Sequence, residues 1–214
     1  MLFGSIQMMS AGIQDTLITG LEDDQAWDAQ VFVMADGEQA VLEWAANVSA
    51  TTELLIEMPL GSVDDSSDIS RSFTVVGLDS YNGGMREVNL LEGTLPDSSQ
   101  PTTQVMMDEG AMIFLGWDIG DTQVVSINGA ETPVEIVGIT RGEIARTMYF
   151  IRGDLSEITG INATSVYLVM PEGVEIDTQL GEISAGIVER QTMIDGIESL
   201  IEQQTQIFQA IMYL

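Results

Sequence analysis

The stretch MDEGAMIFLGWDIGDTQVVSING runs from Met107 to Gly129 and packs Gly116, Asp118, Gly120 and Asp121 into six positions. Carboxylates and glycines set this close serve one of two ends. They hold a small ion or phosphate, or they stop a helix and turn the chain into a strand. The calcium-loop pattern D-x-[DN]-x-[DN]-G is missing, which favours the turn. A second acidic run, DDSSD at Asp64–Asp68, reads as a solvated loop. With 34 Asp and Glu in the chain, two carboxylates lying near one another would not by themselves mark a hydrolase. Asn47 in NVS and Asn162 in NAT match the N-glycosylation acceptor pattern, which belongs on an exposed exterior.

The absent residues narrow the chemistry further. The 214-residue chain has no Cys, no His and no Lys. Thiolate nucleophiles, imidazole bases, zinc–sulfur sites, Schiff bases and a Walker lysine are therefore excluded. Catalysis could draw only on carboxylates, Tyr, Ser/Thr or Arg, and no G-x-S-x-G elbow is present. No catalytic, cofactor-binding or metal-ligating set is expected, and no cofactor. The absence of Cys leaves the redox compartment open, because a domain of this size needs no staples.

The six basic residues, all arginine, leave a formal net charge of −28. Nucleic acid is excluded as a partner, since phosphate contacts need clustered Lys and Arg. Such acidity fits a surface suited to high salt, where screening removes the self-repulsion. Divalent-ion binding and a cationic partner are the alternatives. With 45% hydrophobic residues, the chain can build a core.

The two ends carry no charge, from Met1 to Gln14 and from Gln203 to Leu214. Leu2, Ile6, Met9, Ile13 and Leu17 recur at helical spacing, with Gly20 as a stop. Ile194, Ile197, Ile201, Phe208 and Ile211 do the same near the other end, where Thr192 is placed to cap the helix. Paired antiparallel, the two helices would form a stalk, since about 20 residues span roughly 30 Å. That arrangement brings Leu2, Phe3, Phe208, Met212 and Tyr213 to one uncharged, membrane-proximal tip. Neither segment has the 18 consecutive apolar residues of a membrane span. The plainer reading is that both helices cover the core of a soluble protein.

Strands and helices alternate between these ends. AQVFVM (Ala29–Met34) reads as a strand, and Asp36 can cap a helix over Gly37–Val48 with Val41, Leu42 and Ala45 on one face. Thr52–Leu60 reads as a strand ended by Pro59 and Gly61, and Arg71–Asp79 as a third. The strands TQVMMD, TQVVSI, TPVEIVGI, RTMYFIR and TSVYLVM follow. EGAMIFL is a short helix, and Asn128-Gly129 is a type I′ hairpin turn. A last helix covers Asp177–Ile187. The pattern predicts an α+β fold in which a β-rich segment is inserted into a small α/β unit.

The order of elements resembles the extracytoplasmic domain of MacB/FtsX-type ABC transporter permeases. The residues that carry the resemblance come in four pieces. They are Val76, Gly77 and Asp79; Leu91, Gly93 and Pro96; Ala111, Leu115, Gly116, Gly120 and Asp121; and Val137, Gly138 and Ile139. Thr94 stands where that family often has Arg. The resemblance is strongest over Phe73–Ile139. It implies a MacB-like periplasmic core: a discontinuous porter-like subdomain (29–74 and 165–190), an inserted sabre-like subdomain (75–164), and terminal stalk helices (1–28 and 191–214).

It also implies a location on the extracytoplasmic side of a cell membrane, with transmembrane helices beyond both ends. The implied partners are a cytoplasmic ABC ATPase, a second permease copy, and an extracellular substrate or accessory protein. The domain would relay motion and would not be an enzyme. The alternatives from the residues alone are a stand-alone acidic binding module or a carboxylate hydrolase.

Overall fold

The computed structural model describes residues 25–34, 37–62, 72–142 and 145–212. In chain order its elements are β1 (Ala29–Phe32), α1 (Glu38–Val48), β2 (Thr51–Ser62), β3 (Ser72–Leu78), β4 (Leu90–Gly93), β5 (Thr103–Asp108), α2 (Glu109–Leu115), β6 (Thr122–Ile127), β7 (Ala130–Thr140), β8 (Thr147–Ile151), α3 (Arg152–Thr159), β9 (Ser165–Val169), α4 (Thr178–Ile183), β10 (Gly186–Glu189) and α5 (Arg190–Met212). The class is α+β, as expected from the sequence.

The strands hydrogen-bond in the order β10-β1-β9-β2-β3-β8-β5-β7-β4, while β6 bonds to both β2 and β7. That last pairing closes a ring of six strands, β2-β3-β8-β5-β7-β6, into a small barrel. Alternate residues on each strand point inward: Ile56, Phe73 and Val75, Met148 and Phe150, Val105 and Met107, Val134 and Ile136, Val125 and Ile127. The period-2 alternation of these strands fills the interior without a channel. Ala111 and Met112 of α2 and Leu155 of α3 belong to the same core.

Closure depends on a bend in β2. Its register with β3 shifts between Met58 and Gly61, so the end of the strand reaches Ile127 and Ser126 of β6. Pro59, which cannot donate to a ladder, falls inside the irregular stretch. The sequence reading ended the strand here, whereas the bulge lets it continue to Ser62.

Two further cores flank the barrel. On the side of β1 and β9, Ala29, Val31, Val166 and Leu168 meet Val41, Trp44 and Ala45 of α1 and Leu180 of α4. Trp44 Nε1 donates to Asp177 Oδ1 (3.1 Å), and the same oxygen accepts the Leu180 N–H at the start of α4. On the opposite sheet face, Leu55, Val76, Leu78, Met106, Tyr149 and Tyr167 are covered by Trp27, Tyr81, Met85 and Val88. Trp27 stacks on Tyr167 at 5.1 Å.

Several expectations need correction. Helix α1 starts at Glu38 behind Gly37 with no side-chain cap, and Asp36 lies outside the described residues. The helix expected over Asp177–Ile187 stops at Ile183, and Gly186–Glu189 pairs with β1 as a strand. Helix α3 was not foreseen. Helix α5 begins at Arg190, so Thr192 sits inside it and does not cap it. The N-terminal helix, and with it the antiparallel pair, lies outside the described residues. Among the described residues no helix is long and apolar enough to cross a membrane.

Candidate functional site

The marked glycines hold two kinds of position: Gly77, Gly93 and Gly138 lie at close contacts, and Gly116 and Gly120 lie in left-handed turns. Gly77 of β3 lies beneath α3: a Cβ there would come 2.9 Å from Leu155 Cδ2 and 3.1 Å from Arg152 Cα. Gly93 of β4 is opposite Gly138 of β7. A Cβ on Gly93 would stand 2.2 Å from the Val137 carbonyl oxygen. Gly116 ends α2 in the left-handed conformation (φ 69°) and donates its N–H to Met112 O. Gly120 (φ 92°) donates to Ile136 O at 2.8 Å, docking the turn onto β7.

The carboxylates of this unit bind the chain itself. Asp121 Oδ2 accepts the Asp118 N–H (2.9 Å), and the Asp121 N–H donates to Asp118 O. The turn reading of Gly116–Asp121 is therefore the one the geometry supports. Asp108 is buried at the junction of β5 and α2. Its Oδ1 accepts the Ala111 N–H (3.0 Å) and its Oδ2 accepts the Thr147 N–H of β8. Asp97 collects Gln100 Nε2, the Ser99 N–H and the Ser99 hydroxyl, which together hold its carboxyl below the usual carboxylate range. Among the described residues no three acidic side chains are grouped to hold a metal ion.

Asp79, at the end of the first marked piece, accepts Arg152 Nε at 2.8 Å. Arg152 Nη1 donates to the Asn162 carbonyl and to its Oδ1, and Asn162 Nδ2 donates to Glu38 Oε1. One polar chain thus joins the ends of β3 and α1 through α3.

A polar group on the outer barrel face went unforeseen. The loop between β3 and β4 folds over Glu53, whose Oε2 accepts the Met85 N–H. Burial raises the Glu53 pKa; the Met85 hydrogen bond opposes the shift, and the Asp79 charge adds to it. Arg86 lies beside Glu57 (3.7 Å) and over the Tyr149 ring (5.6 Å). The signal available in the sequence was Arg86 itself, a scarce cation separated by one residue from the pair Gly83-Gly84. Of the expected membrane-proximal residues, Phe208 and Met212 fall on α5; Leu2, Phe3 and Tyr213 lie outside the described residues.

No protein family and no curated protein matches this sequence. Solved structures are similar to it, three of which follow. The periplasmic region of MacB from Actinobacillus actinomycetemcomitans has a TM-score of 0.47 at 13% identity, covering 82% of this chain and 94% of that one. The extracellular domain of the noncanonic ABC-type transporter YknZ from Gram-positive bacteria gives 0.47 at 13% identity, over 80% and 94%. A domain of a putative permease protein from Porphyromonas gingivalis gives 0.39 at 15% identity, over 74% and 70%.

Proposed function

We propose that this chain is the extracytoplasmic domain of an ABC transporter permease subunit. One observation carries the reading. The four pieces of sequence that resemble such permeases, scattered from Val76 to Ile139, lie along one continuous sheet and its α2 turn, and their marked glycines sit where a side chain would clash or where φ is positive. Each marked glycine therefore has a backbone reason to be glycine in this fold.

In this reading the strands from 29–74 and 165–190 form the porter-like part. The segment 75–164 is the sabre-like insertion, and β3 is shared between them. The helix 191–214 and its N-terminal counterpart 1–28 form a stalk, with Leu2, Phe3, Phe208, Met212 and Tyr213 facing the membrane. ATP hydrolysis by a separate cytoplasmic subunit moves the transmembrane region. The stalk passes that motion to the domain, which acts on an extracellular substrate or accessory protein, with a second permease copy beside it. The domain performs no catalysis. The polar chain Asp79–Arg152–Asn162–Glu38 suits the relay, because it ties the insertion to α1.

The test is to isolate the full-length protein from detergent-solubilised membranes of its source. Co-purification of an ATP-hydrolysing subunit, with this domain cleaved by protease added outside intact cells, is the expected result. Recovery in the soluble fraction without an ATPase would sink the reading.

A further inference from the structure

We infer that Asn47 is the attachment point of an N-linked glycan and that Asn162, in the second acceptor sequence, stays unmodified in the folded chain. The inference rests on the extracytoplasmic reading, since the transfer machinery works on that side of the membrane.

The two acceptor sequences are alike on paper and opposite in the fold. Asn47 is exposed in the last turn of α1, and its amide has no partner among the described residues. Its acceptor-sequence partner Ser49 is exposed too, and Ser49 leaves the helix with φ 61°. Ala46 and Glu43, on the preceding turn, are also exposed. The Ser49 and Ala50 N–H groups cap this end on Ala45 O and Ala46 O, and Val48 and Ala50 lean on the core while the Asn47 and Ser49 side chains face outward. Helix ends fray first, so this last turn can open to an enzyme while α1 stays anchored through the buried Val41, Trp44 and Ala45.

Asn162 is also at the surface, but the side chains of Asn162 and Thr164 in its acceptor sequence are in use. Its Oδ1 accepts Arg152 Nη1 at 3.1 Å and its Nδ2 donates to Glu38 Oε1 at 2.9 Å. The Thr164 hydroxyl accepts the Glu57 N–H at 2.7 Å and donates to Glu57 O. Transfer to Asn162 would require breaking all four bonds and prising β9 from β2.

The chemistry is a substitution at the anomeric carbon of a glycan carried on a lipid phosphate. The Asn47 amide nitrogen forms the new bond to that carbon. The carbon–oxygen bond to phosphate breaks, and the lipid phosphate leaves with the electron pair. The amide gives up one proton to the transferring enzyme.

The experiment is site-resolved mass spectrometry of the full-length protein purified from the membranes of its source, alongside Asn47→Gln and Ser49→Ala variants expressed in the same cells. The expected result is a sugar mass on the Asn47 peptide of the wild type, none on the Asn162 peptide, and none in either variant. Asn47→Gln should melt at the temperature of the deglycosylated wild type, which shows that it folds. An Asn47 peptide found only unmodified overturns the inference, as does equal occupancy of both sites or a glycan that survives Ser49→Ala. Protease added outside intact cells separates the two levels. Cleavage with a bare Asn47 leaves the extracytoplasmic reading standing and removes the inference; protection with a bare Asn47 removes both.

Discussion

Gly93 and Gly138 face each other across β4 and β7 with room for a side chain on neither. A Cβ on Gly138 would stand 2.7 Å from Thr94 O and 2.8 Å from Leu90 Cδ1, and one on Gly93 would meet the Val137 carbonyl and Gly138 Cα. Two backbones approach here in a way only glycine permits. Gly138→Ala and Gly93→Ala should each cost about 1–3 kcal/mol, with Gly93→Ala the worse because φ is positive there as well. Gly116→Ala and Gly120→Ala have open space at the Cβ and should cost only the left-handed backbone penalty, about 1–2 kcal/mol. Denaturant midpoints rank the four, and equal losses throughout would contradict the close-approach account.

Asp108 joins three elements through two accepted bonds, to Ala111 at the start of α2 and to Thr147 of β8. Asp108→Ala leaves both N–H groups buried without these acceptors, at a cost of about 2–4 kcal/mol. Asp108→Asn keeps one acceptor oxygen and should lose less. The ordering of unfolding midpoints, wild type above Asn above Ala, is the readout.

Much of this scaffold was legible because local rules and tertiary packing agree. TQVMMD and EGAMIFL form a strand and a helix at the expected bounds. Asp108 supplies the cap that starts the helix and Gly116 the left-handed residue that ends it. Asn128 and Gly129 take the two positive φ values of their hairpin turn. Helix α3 was missed because it has eight residues, includes Gly153 and buries only Leu155, too little apolar stripe to read. Strand β10 was missed because GIVE forms a strand only on the free edge of β1. The pairs that position the polar residues were hidden by distance along the chain: Asp79 and Arg152 are 73 positions apart, and β6 meets β2 through Ile127 and Gly61.

Glu53 should make the fold sensitive to pH. Its carboxyl is raised above the ordinary glutamate range, by burial first and by the Asp79 charge in lesser part, against the Met85 hydrogen bond. Between the unfolded value and the raised folded one, the native state holds a proton that the unfolded chain has released. Stability therefore falls as pH rises through that window and is greatest below it. Glu53→Gln keeps an acceptor for the Met85 N–H and removes the charge. Its melting temperature should vary less with pH across that window and exceed the wild type's above it. An unchanged slope would show that Glu53 is not the group responsible.

Acidity should make the fold depend on salt. With a net charge of −28 and few cations to pair it, the compact state suffers self-repulsion that shrinks as the Debye length falls from about 10 Å at 0.1 M to 3 Å at 1 M. The melting temperature should climb from low salt to molar potassium chloride. A melting temperature that stays level or falls would remove the high-salt reading of the composition.

Barrel closure sets up the sharpest packing test. Gly61 is the inward position of β2 beyond the bulge, and a Cβ there would come 2.3 Å from Phe73 Cε2 and 2.5 Å from Val75 Cγ2. Gly61 also pairs with Ile127, so pushing it outward would strain the bonds that join β2 to β6. Gly61→Ala should cost about 1–3 kcal/mol by overpacking. Phe73→Leu alone should also destabilise, by opening space in the core. If the two effects arise from one contact, the double variant will lose less than the sum of the singles, because the added methyl occupies room the smaller side chain vacates. Strict additivity in a double-mutant cycle would mean that Gly61 is required for some reason other than its fit beneath Phe73.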